Sequence, residues 1–172
     1  MLTSSHDAIQ LLVSLGAPER LIKHHELVAE AGDLIIKQLE MLKVPFDSNF
    51  VRLGIAVHDA GKIVHPNELD AKGNMHEQAG EHLLLSRGVQ KEIARCCLSH
   101  AQYGVMHVCF EEKLIALADK LWKGKRVSDL ELQVIDDTAA LLGQDRWDIF
   151  PVLDSCFEQI AQEGDTRLAR SL

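Results

Sequence analysis

The chain carries nine histidines against one tyrosine and two tryptophans, and several of the histidines stand where an apolar residue belongs. His24 shares a helical stripe with Leu21 and Val28. His58 and Asp59 sit together beside Val57 and just before Gly61. His76 opens a stripe with Ala79 and Leu83, and His100 continues that of Ile93 with Cys96 or Cys97. Asp119 falls on the side of Ile115 and Trp122 within the apolar run LIALADKLW (114–122). An unpartnered buried carboxylate is very costly, and an imidazole less so. Four histidines and two aspartates on inward faces are therefore best explained as one group that compensates itself. Imidazole nitrogen with carboxylate oxygen is the ligand set of divalent transition metals such as iron, manganese or zinc. A helix ending at His58–Asp59 would add the pull of its carbonyl dipoles on a cation.

Each residue taken singly has a plainer explanation. A lone histidine on an apolar stripe is commonly a hydrogen-bonded core residue, Asp119 can pair with a lysine, and Asp59 can cap locally. Two familiar patterns are missing. His76–Glu77 is followed at the fourth position by Gly80, so there is no zinc-protease H-E-x-x-H, and no glycine-rich phosphate loop occurs. The basic residues Lys120, Lys123, Lys125 and Arg126 follow Asp119 directly. In an acidic chain such a cluster suits the grip on a nucleotide or another phosphorylated small molecule, or simply complements a helix C-terminus.

The elements that must position these residues read as helices punctuated by Gly, Pro and Asn, without period-2 alternation or repeats. The spacing predicts helices over about 18–42, with Pro18 as first residue, 47–60, 74–88, 90–103, 111–123, 128–142 and 145–162. Asp47 or Ser48 is expected to cap the second and Gly61 to stop it. Asn74 with Glu77 resembles a capping box. Pro151 is expected to mark the true first turn of the last helix or a kink in it. The fold class is all-α, with six or seven helices.

Length and composition agree. The 172 residues suit one domain, with 47% hydrophobic and 26% charged residues, an ordinary globular mix that excludes disordered, collagen-like and membrane classes. A net charge of −8 argues against general coating of nucleic acid. The first 16 residues lack a basic region, so no signal peptide is read there. No apolar run reaches the roughly 18–20 residues of a membrane span. Cys96, Cys97, Cys109 and Cys156 form no C-x-x-C pair and read as small core residues of a reduced, cytoplasmic protein.

The residues in this order resemble the HD-domain superfamily of metal-dependent phosphohydrolases, whose pattern is a first His, then His-Asp, then a distant Asp. HHELVA (24–29) matches the first element, VHDAGK (57–62) the second and most specific, and ALADKL (116–121) the last. HEQAG (76–80) and LSHAQ (98–102) supply the histidines that dinuclear members carry between them. The segment HDAGKIVHPNEL (58–69) is also similar to soluble HD proteins with a histidine-containing loop. The motif-bearing core covers about 18–126, with helices 128–172 packing on it.

The resemblance implies a primary metal site of His24, His58, Asp59 and Asp119. It implies a second completed by His76 and His100, with Asp59 bridging two divalent ions (iron, manganese or zinc, with nickel or magnesium as further occupants). Placement relative to Val28 favours His24 as first ligand, while His25 also faces apolar residues, Ile22 and Ile36. Lys62 resembles the lysine that contacts substrate phosphate, and His65 is placed at the pocket mouth. His6, His82 and His107 match no ligand position. The expected activity is hydrolysis of a nucleotide or other small phosphate ester or anhydride by metal-activated water, with Asp59 and Lys62 in the catalytic machinery and Lys62, His65, Lys120, Lys123 and Arg126 at the substrate. The alternatives are a phosphodiesterase on a cyclic or dinucleotide, although the glycine-tyrosine-proline signature of those enzymes is absent, a di-iron HD-type oxygenase, and a non-catalytic metal- or nucleotide-binding module. A helical scaffold with structural histidines is the plainest.

Overall fold

The computed structural model describes residues 1–172 and contains helices only. The α-helices are α1 (Ser5–Ser14), α2 (Glu19–Met41), α3 (Ser48–Val57), α4 (Met75–Ser86), α5 (Lys91–Ala94), α6 (Cys96–Gln102), α7 (Phe110–Leu121), α8 (Ser128–Leu142), α9 (Arg146–Gln162) and α10 (Gly164–Arg170). Two 3-10 turns, Ala60–Ile63 and Pro66–Leu69, lie between α3 and α4. The all-α bundle agrees with the periodicity. No helix is long and apolar enough to cross a membrane.

Helix α7 runs through the centre. Leu114, Ile115, Ala116, Leu117, Ala118 and Leu121 are all buried, so this helix is apolar on nearly every side, as an element surrounded by others must be. Around it stand the apolar faces of α2 (Leu27, Val28, Ala31, Ile35), α3 (Val51, Ile55), α8 (Leu130, Val134) and α9 (Leu153, Phe157, Ile160). A second, smaller apolar body joins α1 (Ala8, Leu12) to Leu53, Ala56 and Val57 of α3 and to Leu84, Ile93 and Cys97. Helix α3 thus feeds both bodies from opposite faces. The His58–Asp59 pair leaves its end between them.

Several boundaries differ from the sequence reading, each for a local reason. Pro18 is the N-cap of α2 rather than its first residue. Asp47, not Ser48, caps α3 by accepting from the Phe50 amide. Asn74 makes no side-chain cap. Its expected partner Glu77 is buried and accepts instead from Gln102 at 2.7 Å. The helix expected over 90–103 is interrupted at Arg95, and Pro151 lies inside α9, five residues beyond its start at Arg146. Helices α1 and α10 were not expected. In α1 the apolar residues Ile9, Leu11, Leu12 and Val13 cover more than one face, and in α10 the buried side chain is Arg167. Arg167 donates to the carbonyls of Trp122 and Ile160, near the C-terminal ends of α7 and α9, where helix carbonyls run short of intrahelical partners.

Gly61 does not stop α3, which ends at Val57, and its φ is not in the left-handed region. Its role is contact. A methyl group there would overlap the His76 carbonyl and stand 2.7 Å from the Gly80 amide, and one on Gly80 would stand 2.8 Å from the Gly61 amide. Two glycines let the turn after Asp59 touch the backbone of α4. Gly61→Ala is expected to force these backbones apart at about 3 kcal/mol, the upper part of the usual overpacking range. That corresponds to a melting temperature about 6–12 °C lower for a chain of this length. A thermal melt within about 2 °C of wild type would show that the turn moves freely.

Candidate metal centre

Six side chains from five helical segments and the turn after α3 meet in the space between the two apolar bodies. His24 comes from the middle of α2, His58 caps the C-terminus of α3 and Asp59 follows it. His76 is the second residue of α4, His100 lies on α6, and Asp119 is near the end of α7. His58, Asp59, His76 and His100 are buried. Three triads among the six, His24–His58–Asp59, His58–His100–Asp119 and Asp59–His76–His100, each bring their donor atoms within 4.8 Å of one another.

The carboxylate of Asp59 is shared between two sides. Its Oδ2 lies 3.0 Å from His24 Nε2, 3.7 Å from His58 Nε2 and 2.9 Å from Lys62 Nζ. Its Oδ1 lies 3.3 Å from both His76 Nε2 and His100 Nε2. Asp119 Oδ1 closes the first side at 3.2 Å from His58 Nε2 and 3.9 Å from His24 Nε2.

The other ring nitrogens decide what these Nε2 atoms can be. His58 Nδ1 donates to the Ile55 carbonyl at 2.7 Å, His100 Nδ1 to the Cys96 carbonyl at 2.9 Å, and His76 Nδ1 to Glu68 Oε2 at 3.0 Å. A carbonyl or carboxylate only accepts, so each Nδ1 carries the proton and each Nε2 of the neutral ring is a lone pair. His24 and His58 present Nε2 to Nε2 at 3.3 Å. Lone pairs of nitrogen and carboxylate oxygen thus converge on the same space. Only a positive charge between them, a proton or a metal cation, makes that arrangement favourable. The donor set is that of a divalent transition metal, and the residues fit it.

The electrostatics follow the same logic. Burial would push the Asp59 carboxyl up, yet the neighbouring His58 and hydrogen bonds from His100, His24 and His76 hold it well below the usual carboxylate range. Asp119 is likewise held low against burial by His58 and His100. Burial disfavours charge on His58, but Asp59 and Asp119 win and raise it, and Asp59 with Glu68 does the same for His76. In the metal-free cluster, protons take the place a cation would take.

Geometry separates His24 from His25. His24 turns its Nε2 into the cluster, whereas His25 Nε2 accepts from the Asp59 amide at 3.3 Å. Burial, with His58 and His24 adding to it, holds His25 well below the ordinary histidine range and so neutral. Glu68 is a supporting residue that sequence reasoning missed, and His25, weighed there as the rival first ligand, supports the Asp59 amide instead. The adjacency of His24 and His25 was a signal for His25, while nothing in the PNEL stretch marks Glu68.

The substrate residues inferred from the sequence divide. Lys62 is at the cluster. Lys120 is half-buried and is lowered by burial, with Asp119 partly restoring it. Lys123 and Lys125 are exposed beyond it. Arg126 is not brought to the cluster. Its guanidinium pairs with Glu131 and Asp154 at 2.6 Å and Glu158 at 2.7 Å, tying the loop before α8 to α8 and α9. His65 lines a cleft of about 570 Å³ with Asn74, Glu77, His82 and Gln102, none of them among the six. His6, His82 and His107 are exposed. The ring of Trp122 stands edge-on to His24 at 5.0 Å between centroids and walls that side.

No family model, curated protein or solved structure matches the chain. Its own residues carry the functional reading.

Proposed function

We propose that this chain is a metal-dependent phosphohydrolase that cleaves a small phosphate ester or anhydride, a nucleotide being the leading candidate. The observation that carries the reading is the Asp59 carboxylate, with Oδ2 facing His24 and His58 and Oδ1 facing His76 and His100. That layout suits two divalent ions, with iron, manganese and zinc the best matches to the donors. Bound there, such ions lower the pKa of water and offset charge on a transferring phosphoryl group. The protein residues supply the rest. Asp59 holds both sides in register, and Asp119 and the four imidazoles fix the donors before substrate arrives. Lys62, 2.9 Å from Asp59 Oδ2, is poised to bind a phosphate oxygen, and Lys120, next to Asp119, adds positive charge, with exposed Lys123 following the end of α7. The resemblance to the HD-domain superfamily in HHELVA, VHDAGK and ALADKL supports the same chemistry.

The test combines elemental analysis of untagged protein with phosphate release from nucleotides and sugar phosphates, after restoring manganese, iron or zinc. His58→Ala and Asp119→Ala are each expected to lose bound metal and reduce turnover to background, while His82→Ala does neither. Turnover retained by metal-free Asp119→Ala would end the proposal. Oxygen consumption by the iron form without phosphate release would move the reading to oxygenase chemistry.

A further inference from the structure

Glu68 lies outside the six residues, on the 3-10 turn before α4, yet it is buried and fully engaged. Its Oε2 accepts both the His76 amide at 2.9 Å and His76 Nδ1 at 3.0 Å, and its Oε1 accepts the Met75 amide at 2.8 Å. One oxygen therefore fixes the main chain and the ring of the same histidine. This carboxylate also does the capping expected of Asn74, eight residues from the histidine it serves. Gly73 makes room for it, since a methyl there would stand 2.7 Å from Glu68 Cδ.

The contrast with the other histidines is informative. His58 and His100 hold their Nδ1 protons on neutral backbone carbonyls of their own helices, whereas His76 holds its proton on a formal negative charge. The two sides of Asp59 differ in the matching way. On the Oδ2 side a second carboxylate, Asp119, stands 3.2 Å from His58 Nε2, whereas Oδ1 itself is faced by the imidazoles of His76 and His100, each at 3.3 Å. We propose that Glu68 is a positioning residue that sets the affinity of the His76–His100 side for a divalent cation. It locks the His76 ring with Nε2 toward Asp59 and, through its charge, strengthens that nitrogen as a donor. A carboxylate behind a ligating histidine acts in this way, and its loss costs about 10–100-fold in metal affinity. The inference rests on the metal-dependent reading above.

Glu68→Gln keeps size and one acceptor oxygen but removes the charge. Metal-free wild type and variant are titrated with Mn²⁺ or Zn²⁺ against a chromophoric chelator, with circular dichroism to verify folding. Wild type is expected to show two binding steps, and Glu68→Gln to weaken one of them by about 10–100-fold while leaving the other unchanged. His76→Ala weakens the same step, and adding Glu68→Gln to it weakens that step no further. Two unchanged steps in folded Glu68→Gln, or equal weakening of both, would overturn the inference and reduce Glu68 to a helix cap. If Glu68→Gln does not fold, Glu68→Asp replaces it. That variant keeps the charge but withdraws it by one methylene, so the same single step should weaken, and an unchanged step overturns the inference. A wild-type protein that binds no ion would show instead that the metal-dependent reading itself is wrong.

Discussion

Asp59→Asn is expected to abolish turnover and weaken both sides of the cluster together. Asparagine keeps the volume but loses the charge and one of the two oxygens, and each oxygen serves a different side: Oδ2 at 3.0 Å from His24, Oδ1 at 3.3 Å from His76 and His100. Removal of an outer partner costs about 10–100-fold in metal affinity, so loss of the shared donor should exceed that for both ions. The same variant separates a metal centre from an ordinary buried ion cluster. In the latter, removing one partner costs about 3–5 kcal/mol whatever the solution contains. In a metal centre most of the loss in melting temperature appears only with metal present, because the ion binds the folded state alone. Melts of wild type and Asp59→Asn, with and without chelator, decide between them. An equal loss in both conditions would favour the ion cluster.

Stripping metal from the wild-type protein should have a comparably large effect. An ion present at about a thousand times its dissociation constant stabilises the folded state by about 4 kcal/mol. In a chain of this length that is about 8–16 °C of melting temperature. The difference between loaded and stripped protein should also depend on pH. Against burial, Asp59 and Asp119 raise the affinity of His58 for a proton, and Asp59 and Glu68 raise that of His76. Through these two groups the stripped protein binds more protons than the unfolded chain above the ordinary histidine value of about 6.5 and gains stability as pH falls toward it, while His25, held low, acts in the opposite sense only around and below that value. The same protons compete with metal for Nε2. The two melting curves should converge on acidification and separate toward pH 8. A stripped protein that melts with the loaded one at every pH would leave a helical scaffold.

The inward-facing residues were the legible part of the site. His24, His58, His76, His100 and Asp119 each break an apolar stripe, and a polar residue in such a place needs partners whatever the tertiary structure. Periodicity alone did not separate adjacent His24 and His25, both set among apolar residues; placement relative to Val28 favoured His24, whose Nε2 faces Asp59 Oδ2 while His25 accepts the Asp59 amide. Glu68 escaped because its burial depends on a loop folding back onto α4, which helical periodicity does not encode. Arg126 misled in the opposite direction. Its neighbours in sequence are lysines, while its partners Glu131, Asp154 and Glu158 come from helices whose packing the sequence does not announce. Helix limits followed the same rule. Helix α3 ends at Val57, and Gly61, expected as its stop signal, serves instead the contact with α4.

The six converging residues are spread from position 24 to position 119 and are held by elements that belong to different apolar bodies. No pair except His58 and Asp59 is adjacent in the chain, so the cluster exists only once α2, α3, α4, α6 and α7 have docked. If that docking comes after the folding transition state, the contacts an ion makes there are absent from that state. Interactions absent from that state leave the rate of folding almost unchanged and slow unfolding instead. The polar centre would then act as a late-closing latch, lengthening the lifetime of the assembled bundle rather than guiding its assembly.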